Sequence, residues 1–396
     1  MASAQFKLED FDVSAERGFL ARFNPDDVKL PAALDPIVEA GEMLPKQMLS
    51  AGLRRWLENL PRVDLGVMLE GMSDAQARMA MVRYSFLVQA YVWGAPDAPK
   101  HLPEALAVPI VALADHLGQQ PLLPYSSYVL DNWGLLDADM PISLDNVHMI
   151  QHFAEGLDES WFVLIHVAIE ARAGAALGLF PALMDAADTG DASECAQLLE
   201  EMAPIWSDMN AIFDRMPDFC DPYVYFHRVR PYIHGWKDNP ALGDGLIYEG
   251  VDAYGCKPQA FRGQTGSQSS IVPAMDALLG VSHKDDPLRR FLRELHIYRP
   301  PAHRQFIDAV AARSSLRDVA AAAGAPALKE AYNEILNAVA RFRTRHLEYA
   351  ASYINKQSKG GAGNDADVGT GGTPFMKYLK KHRDESEAQL LGDRLG

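Results

Sequence analysis

Two histidines carry most of the chemistry this sequence could do. Between Leu328 and Ile354, bulky apolar residues recur at Tyr332, Ile335, Val339, Phe342, Tyr349 and Tyr353. Those steps of three and four mark one buried helical face. His346 falls on that face, and Arg343 stands one turn before it, at the stripe's edge. A neutral imidazole there could ligate iron, with the guanidinium holding a carboxylate such as a haem propionate. A histidine satisfied by hydrogen bonds inside a core fits the same spacing. His166, in "WFVLIHVAIEARAG", has Phe162 four residues before it and Glu170 four after. It is either a polar group facing a bound ligand or a buried histidine satisfied by Glu170. Arg230, in "FHRVRPYIHGW", stands between Phe226 and Tyr232, and is either a carboxylate clamp or a cation stacked on a surface.

Other chemistries find little support. A helical di-iron site needs Glu-x-x-His pairs, and none of the 12 histidines has a glutamate three residues before it; Asp145–His148 comes nearest. "GTGGTP" (369–374) follows no strand and precedes no lysine, so it is neither a dinucleotide fingerprint nor a P-loop. Cys195, Cys220 and Cys256 are too widely spaced for a zinc knuckle or a haem-attachment motif. "GQTGSQSS" (263–270) reads as a polar loop leading into a helix. Its backbone either caps that helix or lies against a flat ligand.

The elements that must position these residues are helical. Helix-length apolar patterns cover 47–59, 73–93, 103–118, 143–155, 159–178, 192–216, 222–235, 268–280, 287–297, 301–313 and 327–356. Ser73 is placed to cap one helix, and Gly324 to end another. No fixed-period repeat is present. The fold class is all-α: a small N-terminal helical domain (1–135) and a larger helical domain (136–396), divided at "DNWGLLDADMPISLD". Residues 235–270 form an irregular stretch too long for a casual connection. The Gly-rich segment 356–373 reads as a mobile loop.

With 396 residues, 48% apolar and 23% charged, the chain can bury a sizeable core. Its net charge of -16 argues against a nucleic-acid partner. The acidic start "MASAQFKLEDFDV" does not read as a signal peptide. The apolar run at 161–180 is interrupted by His166, Glu170 and Arg172, which suits a helix inside protein better than a membrane span. The expected setting is cytoplasmic.

Taken in order, "LPEALAVP", "PLLPYSSYVLDNW", "WFVLIHVAIEARAG", "RPYIHGWKDNPALGDGLIYEG", "FRGQTGSQSS", "YRPPAHRQF", "LKEAYNEILNAVARFRTRHLE" and "GTGGT" resemble the indoleamine 2,3-dioxygenase family. The likeness runs from about residue 100 to 390. It implies haem b held between helices, with His346 as the iron ligand, Arg343 on a propionate and Asp276 supporting that side. It places Tyr125, Phe162, Tyr225 and Phe226 around an indole, and Arg230 on the substrate carboxylate. Thr265 and Gly266 belong to a loop over the haem, and Thr373 to a loop that closes over the substrate. Two positions depart from the family pattern: His166 stands where a serine is usual in the animal enzymes, and a distal histidine there is instead similar to the related tryptophan 2,3-dioxygenases. Tyr225 replaces an aromatic without a hydroxyl.

The implied activity is dioxygenation of an indole across C2–C3, L-tryptophan to N-formylkynurenine above all. Dioxygen is the co-substrate, and an external donor keeps the iron ferrous. His166 would orient the substrate or the bound oxygen. The polar pair His166 and Tyr225 also admits a haem monooxygenase or ring-rearranging enzyme on a modified indole. A haem gas sensor without turnover is a third possibility, against which Arg230 and "GTGGT" count.

Overall fold

Ser73 caps the helix that follows it. Its hydroxyl oxygen accepts from the Gln76 N–H at 3.2 Å, and the Gln76 side chain accepts from the Ser73 N–H at 3.0 Å. This reciprocal cap satisfies two donors that a helix start otherwise leaves unpaired. The computed structural model describes residues 6–282, 287–322, 324–357 and 388–392. Within them the longer helices are α1 (Asp35–Gln47), α2 (Asp74–Trp93), α3 (Glu104–Leu117), α4 (Leu157–Gly178) and α5 (Phe180–Thr189). They continue with α6 (Ala192–Asp214), α7 (Ile271–Leu278), α8 (Pro287–His296), α9 (Pro301–Arg313) and α10 (Pro326–Ala350). Strand content is slight. β1 (His101–Leu102) pairs in parallel with β4 (Ile247–Tyr248), and β2 (Trp133–Leu135) pairs antiparallel with β3 (Val147–Met149). The class is all-α, as the periodicity implies.

The helix α4 forms the centre. Leu157–Thr189 is apolar and long enough to cross a membrane by length and composition, yet α4 is buried on nearly every side within the protein. It packs on α6, and α6 packs along α10. On α10 the stripe Leu328, Tyr332, Ile335 and Val339 is buried. Phe342 continues it, with its ring 4.8 Å from Phe213 and 5.9 Å from Trp206. Phe213 is buried there and stabilises the pair of helices by about 1.5–3 kcal/mol, while Phe342 is half-buried. The Tyr349 hydroxyl then donates to the Phe213 carbonyl at 3.0 Å, and that of Tyr353 to the Cys220 carbonyl at 2.6 Å. The last turn of α10 is thereby locked onto the end of α6, and the π-helical turn after it onto the chain at Cys220.

Several expectations fail for local reasons. Residues 143–155 are not a helix. The Asn146 amide donates to the carbonyls of Asp137, Met140 and Pro141, drawing the chain into a compact turn that then enters β3. Residues 222–235 are not one helix either. A π-helical turn (Tyr225–Val229) passes into a 3-10 turn (Arg230–Ile233), because Pro231 has no N–H to continue the ladder. Of the expected 47–59 only Gln47, the last residue of α1, and Leu53–Glu58 are helical. Pro181 disguises the start of α5, where a proline in the first turn is tolerated.

The boundary expected at 135/136 falls directly after β2, between it and its partner β3. Residues before it also reach the other half: Phe6 and Phe11 lie 5.8 and 5.7 Å from the Phe306 ring of α9. π-helical turns at Ser126–Leu130, Tyr225–Val229 and Ala351–Asn355 flank the region where the candidate residues meet. Such turns recur at functional sites because the extra residue re-aims neighbouring side chains.

Candidate active site

A cavity of about 600 Å³ opens between α4, α6, α7, α10 and the loop that carries Gly266, Ser267 and Ser269. His346 and His166 both line it, from α10 and α4, with Phe213 and Phe342 among its apolar walls. His346 makes no hydrogen bond among the described residues. Burial, with a smaller contribution from His166, lowers its pKa to about 4. It is therefore a neutral imidazole with a lone pair to offer, and the satisfied-core alternative does not describe it. The Phe213 ring stands 6.3 Å from it. Arg343, buried one turn earlier, donates to an Asp276 carboxylate oxygen at 2.5 Å, and both side chains line the same cavity.

Of the two expectations for His166, the pairing with Glu170 is not found, and its own helix holds the ring instead. Its Nδ1 lies 2.7 Å from the Phe162 carbonyl oxygen. A carbonyl only accepts, so Nδ1 carries the hydrogen and Nε2 keeps its lone pair. Burial lowers the pKa of the ring and keeps it neutral. Glu170 is not its partner. Glu170 Oε1 instead accepts from the Tyr125 hydroxyl at 2.9 Å and the Ser269 hydroxyl at 2.8 Å, while Oε2 has no hydrogen-bond partner among the described residues. Burial raises the Glu170 pKa to about 7. The Tyr125 hydroxyl stays protonated, its pKa pushed up by burial and by Glu170. Glu170 and Ser269 thus belong to the cavity wall, although spacing alone suggested only a local pair for the first and nothing for the second.

The remaining candidates form an adjoining aromatic cluster. Phe162 bridges the two groups, 4.8 Å from the His166 ring and 4.7 Å from that of Tyr225. The Arg230 guanidinium lies over Phe226 at 5.4 Å and is wholly buried, so it is not a surface stack. Phe162, Tyr225, Phe226 and Arg230 lie outside the lining of the 600 Å³ cavity. Thr265 caps the short turn Gly266–Gln268, its hydroxyl oxygen accepting from the Ser267 N–H at 3.4 Å. Gly266 itself stands against the ring of His346: a Cβ there would be 3.9 Å from Cε1. Thr373 and residues 358–373 lie outside the described residues.

A titration tests the acid. Since Glu170 binds its proton more tightly folded (about 7) than unfolded (near 4.5), the native state holds more protons than the unfolded state between those values. Stability from this group is therefore undiminished below about pH 4.5 and falls as pH rises towards 7. Glu170→Gln should remove that loss. Urea unfolding at pH 5 and pH 8 should show the variant gaining on the parent by roughly 2–3 kcal/mol between the two. An equal pH dependence in both proteins would mean that Glu170 is already ionised at pH 5.

The cavity thus joins a neutral histidine, without a hydrogen bond among the described residues, to an Arg–Asp pair one turn away. The indoleamine 2,3-dioxygenase family model matches residues 7–389. The chain belongs to the indoleamine 2,3-dioxygenase family. It is 33% identical over 398 residues to indoleamine 2,3-dioxygenase 1 of Rattus norvegicus, covering 97% of this chain and 96% of the relative. It is 31% identical to indoleamine 2,3-dioxygenase 2 of Homo sapiens, over 98% and 96% of the two chains. An indoleamine 2,3-dioxygenase of Aspergillus nanangensis is 28% identical, over 98% of each. Membership makes this chain an oxidoreductase of the dioxygenase type, and it agrees with the all-helical architecture.

Whether the residues suit the family's cofactor is a matter of donors. Among the described residues no group of three or more histidines, cysteines or acids could hold a metal ion unaided. An iron at His346 would therefore take its other ligands from a cofactor, as in a porphyrin. The neutral ring, the apolar walls and the Arg343–Asp276 pair all suit haem.

Proposed function

We propose that this chain binds haem b in the 600 Å³ cavity and inserts both atoms of dioxygen across the C2–C3 bond of an indole. L-tryptophan is the foremost candidate substrate, and N-formylkynurenine its product. The observation that carries this reading is His346, a neutral imidazole without a hydrogen bond among the described residues, facing the cavity. His346 would ligate the iron and Arg343 a propionate. Haem, kept ferrous by an external electron donor, supplies the activation of dioxygen.

The chain's own residues bind and orient. His166, with Nδ1 held by the Phe162 carbonyl, presents Nε2 as an acceptor for the indole N–H. It holds the substrate in one orientation and removes no proton permanently, because substrate plus dioxygen already balances the product. Phe162 and Tyr225 flank the ring, and Tyr125, held by Glu170, closes one wall. Arg230 takes the substrate carboxylate from the aromatic cluster. Gly266, which has no side chain, leaves room beside the His346 ring for a flat cofactor. The apolar walls exclude water.

The polar pair His166 and Tyr225 supports a second reading, oxygenation of a modified indole with a single oxygen atom retained. Aerobic turnover with L-tryptophan under reductant and labelled dioxygen separates the two. Two labelled atoms in N-formylkynurenine support dioxygenation; one labelled atom supports the second reading. Haem-loaded protein that makes no product would exclude L-tryptophan as the substrate. Arg230→Leu is expected to lower kcat/KM for L-tryptophan by about ten- to a hundredfold, from the loss of a charge-assisted pair. It should barely affect an indole lacking the carboxylate, and equal losses on both would remove Arg230 from the clamp.

A further inference from the structure

The cavity wall carries a cation that the family reading leaves without a role. Arg299 lies in the turn between α8 and α9, is 3% exposed, and lines the cavity. Its Nε donates to the Ser269 carbonyl at 3.2 Å and one terminal nitrogen to the Ser267 carbonyl at 2.7 Å. The other terminal nitrogen meets His296 Nδ1 at 3.3 Å. A guanidinium has five N–H donors, so these contacts leave two for a ligand.

Its charge sets it apart from three other buried arginines. Arg78 has Asp131, Arg262 has Asp238 and Glu294, and Arg343 has Asp276. Arg299 forms no ion pair among the described residues. Asp308 stands behind the imidazole, 3.6 Å from His296 Nε2 and largely exposed. Neutral backbone carbonyls only partly replace the water that a buried cation loses. Burial accordingly lowers the Arg299 pKa to about 10.

We infer that Arg299 is a second carboxylate-binding residue of this cavity, holding the haem propionate that Arg343 does not. The inference rests on the haem reading above. Haem b brings two propionates, whereas Arg343 already shares its charge with Asp276; Arg299 is a buried cation on the same wall with donors to spare. Because Arg299 also grips the carbonyls of Ser267 and Ser269, a propionate on it would tie the cofactor to the loop that carries Gly266. That loop joins the same network through Ser269, whose hydroxyl donates to Glu170.

The test is a Soret titration of full-length, haem-free protein with haem and with haem dimethyl ester, in the parent, Arg299→Gln and Arg343→Gln. Arg299→Gln should weaken haem binding about ten- to a hundredfold, the scale of a charge-assisted pair. Its affinity for the ester should stay within about twofold of the parent's. Equal loss for both ligands would overturn the inference and leave Arg299 as a loop anchor, and so would no loss for either. If Arg299→Gln does not fold, Arg343→Gln decides. A remaining preference for haem over the ester of about tenfold supports Arg299, and equal affinity overturns it. A parent protein that binds neither ligand overturns the haem reading and this inference with it. Haem binding that ignores Arg299 overturns the inference alone.

Discussion

His346→Ala is expected to give a folded protein that purifies without haem and turns over L-tryptophan more than about a thousandfold more slowly, if at all. The fold should survive, because the imidazole makes no hydrogen bond among the described residues and borders a cavity rather than filling a core position. Stability should change by no more than about 1 kcal/mol. Circular dichroism and urea unfolding check the fold, and the Soret band checks the cofactor. Added imidazole can enter the vacated space and should restore part of the haem binding. A variant that keeps a full Soret band would remove His346 as the iron ligand. One that fails to fold would return it to the role of core histidine.

Arg78→Met should have the largest effect on stability. Arg78 on α2 grips Asp131 with two donors, Nε at 3.1 Å and a terminal nitrogen at 2.5 Å, and reaches Asp12 at 2.8 Å. Asp131 is 1% exposed, so removing the guanidinium leaves a buried acid without its counter-charge. Breaking such a pair by removing one partner costs about 3–5 kcal/mol. Asp131 ends the π-helical turn that follows Tyr125, so the damage should also reach the cavity wall. The expected result is a lower urea midpoint together with weaker haem binding. The double replacement Arg78→Met with Asp131→Leu should recover much of the loss, since no buried charge then remains. A parent-like midpoint in the single variant would show that water reaches Asp131.

Much of the architecture was legible in the residues. The stripe Tyr332–Ile335–Val339 is the buried face of α10, and Ser73 caps α2 with Gln76 because three-residue spacing and side-chain chemistry are local. The errors lie where distant partners decide. Asn146 bends 143–155 by binding carbonyls five to nine residues away, which no periodicity reports. The pairing of β1 with β4 joins residues far apart in the chain, and two-residue strands carry no alternation to read.

The candidate site divides in the same way. The sequence by itself determined that His346 faces inward with Arg343 one turn away, since helical geometry is set by 3.6 residues per turn. It also determined that His166 and Glu170 share one face of α4. Only the tertiary structure decided what those side chains do there. A spacing of four brings two side chains near each other, but hydrogen bonds go to whichever partners the packing supplies. His166 turns to its own helix's carbonyl and keeps Nε2 open, while Glu170 is claimed by Tyr125 and Ser269 from two other segments. Arg299 shows the point most plainly. Its place in "YRPPAHRQF" says nothing of charge balance; burial beside two carbonyls, with no acid in contact among the described residues, is what makes it a site for an anion.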